Sequence, residues 1–141
     1  ATQLQFAAER CMAEDRPQTA WPGPVPLGPG EPFVLDTLSL FRDLVQRRRG
    51  GEAPEALAYR FHLGLAEMIA GACEKARRDT GVDIVALTGG CYQNLLLLKL
   101  TAERLRERGF RVLTHSLIPP NDGGIALGQA VAAMEYLNSR G

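Results

Sequence analysis

Charge of either sign is missing in surplus: sixteen Lys and Arg balance sixteen Asp and Glu, for a formal net charge of zero. A nucleic-acid surface needs clustered, excess basic residues to displace counterions from phosphates, so nucleic acid is not an expected partner. Two short basic clusters, Arg47-Arg48-Arg49 and Lys75-Ala76-Arg77-Arg78, fall near predicted helix ends, where cations complement the dipole. Cysteine is scarce. Cys11, Cys73 and Cys91 are odd in number and lack C-x-x-C spacing, which excludes a disulfide framework and a zinc knuckle. No run approaches the ~20 apolar residues of a membrane helix, and no basic-then-apolar leader occurs. The expectation is a chain with no membrane partner in a reducing cytoplasm.

What remains is an ordinary globular balance, 45% hydrophobic and 23% charged, at the 141-residue size of one domain. Residues 2–15 read as a helix with Leu4, Ala7, Ala8 and Cys11 on one side. From Pro17 to Pro32 six prolines and three glycines exclude helix and central strand. Residues 17–32 are therefore expected as a linker between an N-terminal helix (1–16) and the main body (33–141). Trp21 within it is read mainly as a packing anchor, with ligand stacking as the other use.

Phe33-Val34-Leu35 is a short strand candidate. Asp36 or Thr37 then caps a helix through Leu38, Phe41, Leu44 and Val45, ending at Gly50-Gly51. Pro54 fits the first turn of the next helix. Leu57, Phe61, Leu65, Met68, Ile69, Ala72 and Ala76 recur at helical spacing up to Gly81. Cys73 falls on that apolar face as a small core residue, and His62 lies beside it as a buried, hydrogen-bonded histidine rather than a ligand.

Asp83-Ile84-Val85-Ala86-Leu87 is a continuous apolar run, expected as a strand buried on both faces. Helix 92–108, strand 110–114 and helix 124–137 follow, the last built on Ile125, Leu127, Ala130, Val131, Ala133 and Met134. Strand–helix–strand–helix in this order predicts a parallel βαβ unit. Two strong strands and one weak one leave amphipathic helices without enough sheet to cover. The fold class is thus α/β with a parallel core, expected to need another segment for completion.

Ligands of such sheets collect beyond the carboxyl ends of the strands. Two glycine junctions lie there: Thr88-Gly89-Gly90-Cys91-Tyr92-Gln93-Asn94 and Asn121-Asp122-Gly123-Gly124. Neither G-x-x-x-x-G-K-S/T nor G-x-G-x-x-G occurs, so the common phosphate and dinucleotide fingerprints are absent. Gly89, Gly90 and Asn94 admit a phosphate or ribose role or a plain tight turn, with Thr88 adding a hydroxyl contact or a cap. Asp122 is either an Asx-type cap of helix 124–137 or a ligand for a hard cation or iron. A third chemistry puts Cys91, opening a helix, as a nucleophile with His115 as its base, as in a cysteine hydrolase or amidotransferase. No third group to orient the imidazole is evident.

AYRFHLGLAEMI, TGGCYQNLLLLKL and GFRVLTHSLIPPNDGGIALGQAVAA, in register across residues 57–137, resemble the C-terminal part of HypF-type carbamoyltransferases. PPNDGGIALGQ is the specific part. PFVLDTLSLFRDLV matches more loosely, and residues 1–15 only faintly. The tRNA threonylcarbamoyl-transfer proteins and antibiotic O-carbamoyltransferases share the glycine pair and the aspartate. The resemblance implies the second lobe of an actin-like, sugar-kinase-like (ribonuclease H-like) ATPase fold. It implies carbamoyl phosphate and ATP as substrates, combined into a carbamoyl-adenylate. The acceptor would be the C-terminal cysteine of a HypE-type partner in NiFe-hydrogenase maturation. By position, Gly89, Gly90 and Asn94 would line the nucleotide pocket. Asp122 would be one ligand of a divalent metal (Mg, Zn or Fe), with Gly123 and Gly124 shaping its loop. The family's histidine metal ligands belong to the first lobe, and no H-x-x-x-H occurs here. The chain alone is accordingly expected to be inactive, and family members often carry a small apolar residue where Cys91 stands.

Overall fold

The computed structural model describes residues 2–11, 25–26 and 33–139. The linker reading of 17–32 and the anchoring role of Trp21 lie largely outside that range. Its core is helical. Helix α1 (Thr2–Cys11), α2 (Thr37–Arg49) and α4 (Leu95–Glu107) all pack on α3 (Pro54–Thr80).

Local chemistry sets the ends of these helices. Asp36 caps α2 by accepting from Ser39 N at 3.0 Å. Hydrogen bonds from Ser39 hold its carboxyl below the usual carboxylate range. Pro54 opens α3, where its missing N–H costs nothing. Gly81 closes α3 at φ +75, a left-handed conformation open to glycine.

The buried faces differ from the expected stripes. In α3 the buried positions are Ala58, Tyr59, His62, Leu63, Gly64, Ala66, Met68 and Ala70. Of the predicted stripe only Met68 is among them; Leu57, Phe61, Leu65, Ile69 and Ala72 form a half-buried rim, and Ala76 is exposed. The reason is that α3 is flanked by three helices, so its buried face, with Tyr59, His62, Leu63 and Met68 beside Ala58, Gly64, Ala66 and Ala70, differs from a single stripe. Gly64 shows the closeness: a Cβ there would stand 2.7 Å from Leu40 Cδ1. Leu40 is accordingly the buried residue of α2, while the predicted Leu38, Phe41 and Val45 are exposed.

Two apolar clusters result. Ala8 joins Ala58, Tyr59, Leu63, Ala66, Leu96 and Leu100. Ala70 joins Leu87, Tyr92, Leu97, Ala102, Leu105 and Phe110, with Cys73 packed against them. Burial pushes the Cys73 thiol above its ordinary value, as expected of a core cysteine. Glu67 of α3 ties the α3–α4 seam, meeting Arg104 Nε at 2.8 Å and Arg108 Nη2 at 2.6 Å.

Strands β3 (Ile84–Leu87) and β4 (Arg111–Thr114) pair in parallel, with Leu87 opposite Thr114, and α4 connects them. This is the expected parallel βαβ unit. The third candidate does not join it: β2 (Phe33–Val34) pairs antiparallel with β1 (Val25–Pro26) in a separate ribbon. The expectation that strand 83–87 is buried on both faces is not met. Ile84 is exposed and Leu87 alone is fully buried, because two strands are covered by helices on one side only. Helix α5 (Ile125–Asn138) likewise has no buried residue. No helix among the described residues is long and apolar enough to cross a membrane.

Candidate functional site at the sheet edge

The site begins where β3 ends. After the buried Leu87, Gly89 adopts φ +101, which turns the chain sharply and would strain any side chain. The helix expected to run 92–108 is split. Gly90–Gln93 form a short 3-10 turn, and α4 starts at Leu95 with Asn94 as its N-cap. The cap is therefore Asn94, whose Oδ1 accepts from Leu97 N at 3.0 Å, and not Thr88.

The second junction follows β4. Here Asn121 takes the Asx role considered for Asp122: its Oδ1 accepts from Gly123 N, and its carbonyl accepts from Gly124 N, both at 3.0 Å. Asp122 is exposed, and its carboxylate has no hydrogen bond or ion pair with any described residue. Gly123 and Gly124 are needed for closeness rather than for unusual dihedrals. A Cβ on Gly123 would lie 3.1 Å from Asn121 Oδ1, and one on Gly124 would lie 3.1 Å from the Pro119 carbonyl.

The two junctions are joined. Gly89 N donates to Pro120 O at 2.7 Å, and His115 Nε2 lies 2.8 Å from Thr88 Oγ1. A cleft of about 430 Å³ lies beside this seam, lined in part by Thr88, His115, Asn121 and Gly124. A second, of about 360 Å³, opens on the other side of the first junction at Gly90, Cys91, Gln93 and Asn94, against Gln5 and Phe61. The junctions are thus hydrogen-bonded to each other, while Gly90 and Asn94 open on one cleft and Asn121 and Gly124 on the other.

Cys91 is exposed, but it sits in the 3-10 turn rather than at the start of α4. The imidazole nominated as its base engages Thr88, and no hydrogen bond joins Cys91 to His115 among the described residues. The nucleophile–base pair is not assembled. His62 is buried and hydrogen-bonded, as expected: Nδ1 lies 2.7 Å from Ala58 O. Its other partner went unforeseen. Asn94 Nδ2 approaches His62 Nε2 at 2.8 Å across 32 positions of sequence, a pairing no local spacing announces. Tyr92, also missed as a core residue, is 8% exposed, and burial pushes its phenol upward. No group of three or more His, Cys, Asp or Glu among the described residues is placed to hold a metal ion. Asp122 fits as a single carboxylate ligand and no more.

Fold and site define an α/β subdomain that presents two linked glycine loops on one edge of a small parallel sheet. A family model described as "Carbamoyltransferase, Kae1-like Domain, second subdomain" matches residues 1–129, and the chain belongs to that family. It is 39% identical over 117 residues to Carbamoyltransferase HypF of Rhodobacter capsulatus, covering 83% of this chain and 15% of that protein. Carbamoyltransferase HypF of Rhizobium leguminosarum bv. viciae is 35% identical over 133 residues, 92% of this chain and 15% of that one. Among solved structures, full-length HypF in its phosphate- and nucleotide-bound form superposes with a TM-score of 0.78 at 30% identity. That likeness covers 96% of this chain and 17% of the HypF chain. The chain therefore spans about a sixth of the relatives it matches.

Proposed function

We propose that this chain is the nucleotide- and metal-contacting lobe of a HypF-type carbamoyltransferase with an actin-like ATPase fold. The enzyme would use carbamoyl phosphate and ATP to carbamoylate the C-terminal cysteine of a HypE-type acceptor in NiFe-hydrogenase maturation. One observation carries this reading: the Gly89 N to Pro120 O bond at 2.7 Å, which joins the two glycine junctions into one edge. A similar HypF structure in its phosphate- and nucleotide-bound form supports the ligand class, and membership of the carbamoyltransferase family supports the chemistry.

The residues divide the work as follows. Gly89 and Gly90 keep the first loop bare of side chains, so that phosphate oxygens reach backbone; no atom lies within 4 Å of a Cβ built on Gly90. Asn94 spends its Oδ1 and one N–H internally and keeps a second N–H to donate. Gly123 and Gly124 let the second loop fold tightly on Pro119, and Asn121 caps it. With the cap supplied by its neighbour, the Asp122 carboxylate remains available as one metal ligand. The divalent metal, when bound, would supply charge neutralisation and orientation of phosphate oxygens. Its remaining ligands must come from outside the described residues.

A second reading, a non-catalytic nucleotide-binding or docking lobe, draws on α5, whose surface is apolar and wholly unburied. Asp122→Ala in the complete enzyme separates the two. The carbamoyltransferase reading expects transfer to the HypE-type acceptor to be abolished while the melting temperature holds. Unchanged transfer removes Asp122 from the site.

A further inference from the structure

His62, 1% exposed, is a buried titratable side chain that the proposed chemistry leaves unused. Its bonds fix every proton in its neighbourhood. Ala58 O only accepts, so the Nδ1 that lies 2.7 Å away carries the hydrogen. In the neutral ring Nε2 is then an acceptor, and Asn94 Nδ2 donates to it at 2.8 Å. That in turn fixes which way the Asn94 amide points: Oδ1 must face Leu97 N, which it does at 3.0 Å. A flipped amide would set its oxygen against the Nε2 lone pair and its N–H₂ against the Leu97 N–H. Both contacts would be lost at once.

From this chain of donors and acceptors we infer that His62 is a positioning residue for Asn94. It selects the rotamer in which the second N–H of Asn94 Nδ2 is presented to the cleft. That cleft, of about 360 Å³, is lined by Asn94 itself together with Gly90, Cys91 and Gln93. The inference rests on the reading of Asn94 as a nucleotide contact. An asparagine cap needs only its oxygen. A buried imidazole on the nitrogen does more than capping requires, because it removes the rotational freedom of the amide that must meet the ligand.

The test measures Mg-ATP affinity by calorimetry in the complete carbamoyltransferase carrying this subdomain, with thermal melting recorded for each variant. Asn94→Ala is expected to weaken binding by roughly three- to tenfold, the value of one hydrogen bond. His62→Leu should weaken it comparably in a protein that still melts cooperatively. Adding His62→Leu to Asn94→Ala should weaken it no further. His62→Gln, whose Oε1 can accept from Asn94 Nδ2, should restore affinity to about the wild-type level. A folded His62→Leu protein with wild-type affinity, beside a weakened Asn94→Ala, overturns the positioning role and leaves the nucleotide reading standing. Wild-type affinity in Asn94→Ala overturns both. If His62→Leu does not fold, His62→Gln decides: retained affinity supports the role, and a tenfold loss in a folded protein contradicts it.

Discussion

At the scale of single residues, Gly89 and Gly90 are adjacent but answer different demands. Gly89 sits at φ +101 and ψ 158, so an alanine there is strained by about 1–3 kcal/mol whatever the ligand does. Gly90 has no positive φ and nothing within 4 Å of a built Cβ. Gly90→Ala should therefore change stability by less than about 1 kcal/mol. If phosphate approaches this loop, the same variant should lose ATP affinity, whereas Gly89→Ala should lose both affinity and stability. Denaturant melts beside ATP titrations decide it; unaltered binding in Gly90→Ala would make that glycine a spacer only. Residue types in the two junctions announced this much of the site. What they did not announce was the division between Asn121 and Asp122. Either side chain can cap the turn, and the geometry alone gives the cap to Asn121.

Elements and their ends were legible because their signals are local. Pro54, Gly81 and Asp36 act within a few residues of themselves, and each does what its chemistry predicts. Burial was less legible, because it depends on how many neighbours a helix has. Periodicity assumes one buried stripe, and α3 is packed by three helices, so Tyr59, Leu63, Gly64 and Ala66 are buried while Phe61 and Leu65 lie at the rim. The split of 92–108 into a 3-10 turn and α4 was hidden for a similar reason: Asn94 caps only because the chain must first turn away from β3. The α3–α4 seam can be probed directly. The Glu67 side chain is 17% exposed and holds Arg104 of α4 and Arg108 at its C-cap, so Glu67→Ala leaves Arg104 with Glu107 alone and Arg108 with the longer contact to Glu74. A loss of about 1–3 kcal/mol is expected in chemical denaturation. A loss below about 0.5 kcal/mol would mean that the seam is held by its apolar cluster alone.

At the scale of the whole molecule, the chain buries its helices well and its sheet poorly. Ile84 and Leu113 of the two strands are exposed, and so are Val131, Met134 and Leu137 of α5. A 14-residue helix without tertiary packing is marginal in water. Produced as this chain alone, α5 should exchange its amide hydrogens on the timescale of an isolated helix. In the complete enzyme they should be protected. Equal, strong protection in both would show that α5 finds its cover within these residues. Two strands with one covered face also explain why the parallel βαβ unit was readable from sequence while the expected double burial of strand 83–87 was not: pattern records the surroundings a strand is built for, which this stretch of chain does not itself supply.

Nucleotide is expected to bind at the edge formed by the two glycine junctions. Cys91 is a built-in reporter of it, exposed between Gly90 and Tyr92, whereas Cys73 is half-buried with its thiol pushed up. Alkylation of each cysteine in the complete enzyme, followed by mass spectrometry with and without saturating Mg-ATP, reads the edge directly. Modification of Cys91 should be fast without nucleotide and slowed at least about tenfold with it, with Cys73 slow in both conditions. An unchanged Cys91 rate under saturating Mg-ATP would contradict a nucleotide at this edge.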